Sequence, residues 1–142
     1  MKTLEEQTQI IQAAGYRFTQ SRLAVLTVLA QVEESLDTAT VYELGRQIHP
    51  TLGRVSVYRA LDLLTRLGLV RLVHGEKGCR AYARAERTEG HYLICQRCHQ
   101  VIEFPCAGLD DLLEGVGRQF DYLIQGHMLQ LEGLCATCRP AV

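Results

Sequence analysis

Arg54-Val55-Ser56-Val57-Tyr58-Arg59-Ala60-Leu61-Asp62-Leu63-Leu64-Thr65-Arg66-Leu67-Gly68-Leu69-Val70-Arg71-Leu72-Val73 changes its period once, at Gly68. Before that glycine, Val57, Ala60, Leu61 and Leu64 fall at i, i+3, i+4 and i+7, the spacing of one apolar helix face. Beyond it the chain turns to short β-like runs. Leu69–Val73 and Arg80–Ala83 flank His74-Gly75-Glu76-Lys77-Gly78, a glycine-containing turn suited to a hairpin. A helix that docks on one side and feeds straight into a two-stranded wing predicts a winged helix-turn-helix.

The upstream sequence supplies the helices this arrangement needs. Residues 3–14 carry Leu4, Ile10, Ile11 and Ala14 at roughly helical spacing, and Gly15 stops them. Thr19 or Ser21 caps a second helix through Leu23, Val25, Leu26 and Leu29, up to the acidic break at Glu33-Glu34. Asp37 or Thr38 starts a third, with Val41, Leu44 and Ile48 inward, which Pro50 ends. The outer face of the fourth, residues 54–67, is Arg54, Ser56, Tyr58, Arg59, Asp62 and Arg66. Arginine suits phosphates and guanine edges, and Tyr and Ser suit backbone or thymine-methyl contacts, so double-stranded DNA is the expected partner. Tyr58 and Arg59 are the favoured readers. Arg17 and Arg22, flanking the turn into the second helix, are placed to reach a phosphate or the minor groove. A solvated face with ordinary arginines is the competing reading of the helix taken alone.

Charge distribution favours DNA. The whole chain has a formal net charge of −1, yet residues 1–84 hold eleven Lys/Arg against eight Asp/Glu and residues 85–142 four against eight. The basic half is the one with the helices. So small a surplus binds weakly in one copy, which predicts a dimer on two half-sites. With 47% hydrophobic and 22% charged residues, the composition is that of a globular chain. No apolar run has membrane-spanning length and residues 1–6 lack a signal-peptide core, so the expectation is a cytoplasmic protein with no membrane contact and no small organic substrate.

Downstream, polar residues 84–90 read as a hinge. The expected domains are therefore 1–83 and 91–142, an α+β chain whose second part is small and mixed. That part should hold strands His91–Cys95 and Val101–Phe104, a helix Leu109–Phe120 with Leu112, Leu113 and Val116 inward, and a strand within Tyr122–Leu134. Two knuckles bracket it, Cys95-Gln96-Arg97-Cys98 and Cys135-Ala136-Thr137-Cys138. Each C-x-x-C presents two thiolates from one tight turn, and four thiolates complete a tetrahedral zinc shell. In a reducing cytoplasm metal chemistry explains the six cysteines better than disulfides. With 36 residues between the pairs, folded structure lies between them and zinc pins its ends.

The residues 14–22 (Ala-Gly-Tyr-Arg-Phe-Thr-Gln-Ser-Arg), 55–61 (Val-Ser-Val-Tyr-Arg-Ala-Leu), 91–104 (His-Tyr-Leu-Ile-Cys-Gln-Arg-Cys-His-Gln-Val-Ile-Glu-Phe) and Cys135–Cys138 together resemble the ferric uptake regulator family of metal-dependent transcription factors. The resemblance spans essentially the whole chain. It implies an N-terminal winged-helix domain, a C-terminal α/β dimerisation domain, a homodimer, and a palindromic operator bound when a regulatory metal is loaded, usually to repress uptake genes. The family's site within the dimerisation domain maps onto Glu89, His91, Asp110 and His127. Its second site, which links the two domains, has Ser35 or Glu34, Gly90 and Tyr92 where its histidines normally stand.

Cys79, on the second half of the wing, is a candidate replacement that would join His91 or His127 and Glu103. A thiolate donor favours Zn(II) over Fe(II), so the expected activity is that of a zinc uptake regulator. Without metal the hinge would leave the winged helices in many orientations. Cys79 also reads as a free thiol on a wing, and Glu103 as a strand-edge acid. Cys106 reads equally as a small buried residue or a redox-sensitive thiol. His49, His74 and His99 are expected at a helix end, on the wing surface and in the knuckle turn. The alternatives are an iron-responsive regulator of the same fold, a structural DNA-binding module, and a zinc hydrolase with Glu103 or Asp110 as base. The last lacks an H-E-x-x-H motif and leaves the winged helix idle.

Overall fold

The computed structural model of the chain describes residues 2–75, 78–86 and 90–141. Four helices come first: α1 (Leu4–Ala13), α2 (Gln20–Ala30), α3 (Thr38–Ile48) and α4 (Arg54–Arg66). Three are capped by the residue types their sequence offers. Thr3 and Glu6 close a capping box on α1, Thr19 accepts from the Arg22 N–H at the start of α2, and Asp37 accepts from the Thr40 N–H at the start of α3. Capture by the Thr40 N–H also holds the Asp37 carboxyl below its ordinary value. Gly68 terminates α4 at φ +70°, a backbone region that glycine enters without penalty.

The wing follows at once. Strand β1 (Val70–His74) pairs antiparallel with β2 (Arg80–Arg84), with Leu72 opposite Tyr82. One apolar core joins helices and wing. It contains Ile11, Val25, Leu29, Val41, Val57, Leu61, Leu64 and Val70, all essentially sealed from solvent. Truncating any one of the leucines to alanine there is expected to cost about 2–5 kcal/mol.

The second unit is a three-stranded sheet in the order β4-β3-β5. Its central strand β3 (His91–Cys95) runs antiparallel to β4 (Val101–Phe104) and parallel to β5 (Gln130–Gly133). Between β4 and β5 lies α5 (Asp110–Phe120). The expectation that Leu112, Leu113 and Val116 point inward is met only by a half-buried Leu113. Leu112 is 61% and Val116 40% exposed, and the only buried residue of α5 is Gly117. Gly117 is required there, since a Cβ would stand 2.8 Å from the Tyr122 carbonyl oxygen. The chain leaving α5 thus folds back over its last turn.

The two units are stitched together rather than merely tethered. Segment 33–36 runs between them: Leu36 exchanges two main-chain hydrogen bonds of 2.8 Å with Tyr82, while the Ser35 N–H donates to His99 and the Val101 N–H to Glu33. Val73 of the wing packs in one small core with Tyr92 and Ile94 of β3. The expected hinge is shorter than its polar composition suggests, because Arg84 ends β2 and Ala85 is buried. Residues 87–89 of that hinge, and with them Glu89, lie outside the described residues.

Candidate metal centres and DNA face

β3 delivers Cys95 and its turn delivers Cys98, while the turn after β5 delivers Cys135 and Cys138. The four sulfurs lie within 4.8 Å of one another. Zinc–sulfur bonds of about 2.3 Å in a tetrahedron require sulfurs about 3.8 Å apart, and Cys98 and Cys135 are 3.7 Å apart. The cage therefore fits zinc in donor type, number and spacing. Arg97 fastens the two knuckles to each other by donating to the Cys138 carbonyl at 2.8 Å. The surroundings already favour charge on sulfur. N–H groups of Cys98 and Cys135 draw the Cys95 thiol down to about 5, and the Cys138 N–H lowers Cys135, whereas the hydrogen bond with Cys135 pushes Cys138 up to about 12. Two sulfurs thus hold charge easily and a cation is needed to strip the rest.

A second cluster forms at the opposite end of β3. His91, 3% exposed, aims Nε2 at Nε2 of His127 across 3.1 Å. Cys106, on the loop between β4 and α5, brings its sulfur to 2.9 Å from the same His127 nitrogen. In either tautomer His127 Nε2 offers one hydrogen or one lone pair, and two partners compete for it. The buried Nδ1 of His91 has no hydrogen-bond partner among the described residues. Two imidazoles and a thiol converging on one point fit a divalent cation in donor chemistry.

Of the other residues expected to ligate, Asp110 opens α5 and lines, with His127, the open cleft of ≈ 890 Å³ beside that helix. Glu103 is engaged elsewhere, 3.5 Å from the Arg71 guanidinium of the wing and accepting from the Glu86 N–H at 3.2 Å. Arg71 also lies over the Tyr92 ring, 5.7 Å from its centre. Arg71, Glu103 and Tyr92 thus meet between wing and sheet. Cys79 is exposed at the wing tip and joins neither cluster among the described residues. Cys106, left open between burial and redox chemistry by the sequence, is the residue brought to the histidines. No spacing rule could have found it, since 20 residues of helix and loop separate it from His127. His99 sits exposed in the knuckle turn at φ 62°, His49 caps α3 and His74 ends β1.

On the face expected to meet DNA, α4 exposes Arg54, Tyr58 and Arg59, with Ser56 half-buried. Arg54 is steadied over the Tyr42 ring at 4.4 Å. Asp62 engages Arg66 at 3.2 Å. Arg17 is exposed, while Arg22 lies over the Tyr16 ring and donates to the Arg17 carbonyl, fixing the turn into α2.

Known proteins are similar to this chain along most of its length. Residues 13–132 match the model of the ferric uptake regulator family. The chain is 33% identical over 134 residues to the ferric uptake regulation protein of Bacillus subtilis, covering 90% of this chain and 89% of that one. It is 26% identical over 138 residues to the zinc uptake regulation protein of Escherichia coli, covering 95% and 80%. A solved zinc uptake regulator complexed with zinc and DNA superposes with a TM-score of 0.74 at 25% identity, covering 96% of this chain and 95% of that one. With the family model spanning most of its length, and with the winged helix and the four-cysteine cage both in place, this chain belongs to the ferric uptake regulator family.

Proposed function

We propose that this metal-responsive transcription regulator answers to zinc and represses zinc uptake genes, acting as a cytoplasmic homodimer on a palindromic operator. The observation that carries the reading is the convergence of the His91 and His127 Nε2 atoms, 3.1 Å apart, in a unit whose sheet is bonded to the DNA wing. Cys95, Cys98, Cys135 and Cys138 would hold a structural zinc. His91 and His127, with Asp110 in the cleft that His127 lines and Glu89 two residues before His91 in sequence, would hold the regulatory ion. A bound divalent cation supplies a fixed coordination point that ties the loop before β5 to β3. The residues then transmit order by contact: His127 leads into Gln130, and Gln130 bonds to His74 at the end of β1.

Tyr58, Arg59, Arg54 and Ser56 would meet the operator, with Arg17 on an adjacent phosphate. Dimerisation is supported by the apolar residues left exposed on and after α5, where Phe120 is 62%, Tyr122 73% and Leu123 84% exposed, more than an isolated subunit ordinarily presents in one place. Family membership sets aside the hydrolase reading. Iron is the second reading, favoured by the 33% identity to a ferric uptake regulation protein. Titrating protein that retains its structural zinc with Zn(II), Fe(II) and Mn(II), while operator binding is followed, separates the two. Binding driven by Fe(II) and not by Zn(II) sinks the zinc reading.

A further inference from the structure

We propose that Cys106 is a thiolate ligand of the His91–His127 centre, so that the regulatory ion sits in a mixed nitrogen–sulfur site. The inference rests on the reading that these histidines hold a divalent cation, and adds the ligand that decides which cation is preferred.

Geometry carries it. Cys106 Sγ is 2.9 Å from His127 Nε2, which is itself 3.1 Å from His91 Nε2, and all three donor atoms lie within 4.8 Å. Around one tetrahedral ion with bonds of about 2.0–2.1 Å to nitrogen and 2.3 Å to sulfur, the two nitrogens would stand roughly 3.3 Å apart and nitrogen and sulfur roughly 3.6 Å. The histidines are nearly at that spacing already. The sulfur has to withdraw by roughly 0.7 Å, and its setting allows this: Cys106 is exposed, in a loop following Pro105. His91 is fixed by burial and by its place on the central strand, so the adjustment falls to the exposed cysteine.

Chemistry gives the site its direction. His127 Nε2 cannot satisfy both the imidazole and the thiol through its single hydrogen or lone pair, whereas one cation accepts all three donors. Loss of the thiol proton leaves a soft anion beside two neutral imidazoles, a set that suits Zn(II) better than Fe(II). Asp110, which lines the same cleft as His127, would be a further oxygen donor on α5.

The test is cobalt substitution of the full-length protein with zinc retained in the four-cysteine cage. A second equivalent of Co(II) should give a sulfur-to-cobalt charge-transfer band in the near ultraviolet beside the d–d bands of a tetrahedral ion. Cys106→Ser should abolish the charge-transfer band and weaken Zn(II) binding at this centre by at least the roughly 10–100-fold that even an outer-shell loss costs. Cys106→His should restore tight binding without the band, which shows that the loop still folds. Cys79→Ser should leave the spectrum unchanged. An undiminished band in Cys106→Ser, or its loss in Cys79→Ser, overturns the assignment. Operator binding is read in parallel: a Cys106-dependent band with metal-indifferent DNA binding keeps the ligand and removes the regulatory role, and the converse removes the ligand and keeps the role.

Discussion

Gln130 grips both main-chain polar groups of His74, accepting from its N–H at 3.0 Å and donating to its carbonyl at 2.8 Å. One side chain of β5 thereby completes the end of β1, and the wing acquires a fixed attachment to the sheet that bears the cysteine and histidine clusters. Each such bond contributes about 0.5–1.5 kcal/mol net. Gln130→Leu removes both, and the His74 amide should then exchange with solvent roughly tenfold faster, matching about 1.4 kcal/mol. Operator affinity should fall by a similar factor. Unchanged exchange at His74 would show that the wing is held by other contacts.

Arg71 and Glu103 form a second attachment, with side chains only 16% and 4% exposed. Replacing the arginine alone removes the cation from a carboxylate only 4% exposed that still accepts from the Glu86 N–H, and breaking a buried pair from one side costs about 3–5 kcal/mol. Arg71→Met should therefore lower the unfolding midpoint strongly, and Arg71→Met with Glu103→Gln should recover much of the loss. Denaturant melts of the single and double variants decide it. If the double variant is as unstable as the sum of the singles, the pair is not coupled.

The cysteine cage gives metal-free protein its own pH profile. Cys95 is drawn from 9.0 down to about 5, so its contribution is complete above pH 9 and disappears as pH falls through 5. Cys138 is pushed from 9.0 up to about 12, so its contribution is complete below pH 9 and disappears as pH rises through 12. Stripped protein should be most stable near pH 9, with Tm declining on both sides. Thermal melts in chelator across that range test this, and a Tm that falls steadily from about pH 6 to pH 9 would contradict it.

Along α4, exposed Arg59 forms no salt bridge among the described residues, since Asp62, at i+3 from it, engages Arg66 instead. Arg59→Ala should weaken operator binding and reduce the salt slope by about 1. Arg66→Ala should do less. Binding isotherms at several salt concentrations measure both, and equal effects would remove Arg59 from the reading face.

The helices and strands were legible because each carries its own period or cap. Gly68, Pro50 and Asp37 mark boundaries through conformations the residues themselves impose, and β3 and β4 occupy the expected spans His91–Cys95 and Val101–Phe104. α5 was legible as a helix but not in its orientation, since an apolar stripe says that a face is to be covered and not whether the cover belongs to the same chain. The cysteine cage was legible for a covalent reason: C-x-x-C fixes two ligands locally. The second cluster was legible only in part: the family resemblance put His91 and His127 in one site, whereas Cys106 comes from a third segment, the loop between β4 and α5, which no local pattern connects to them. Cys79 drew attention by its position in sequence, and the fold leaves it at the wing tip. Glu103 reads as a ligand until Arg71 is seen beside it.

β3 has one further consequence. His91 and Cys95 stand four residues apart, hence on one face of the same strand and about 13 Å from each other. β5 pairs with β3 in parallel, so no tight turn sets the register of these strands; Cys135 and Cys138, just past β5, set it instead. A slip of a single residue would carry His127 away from His91. In the proposed reading the two centres are ranked: zinc in the cysteine cage would secure the register on which the approach of His127 to His91 depends. On that reading the first ion would belong to the architecture and only the second would convey information, so one metal atom would make the protein able to count another.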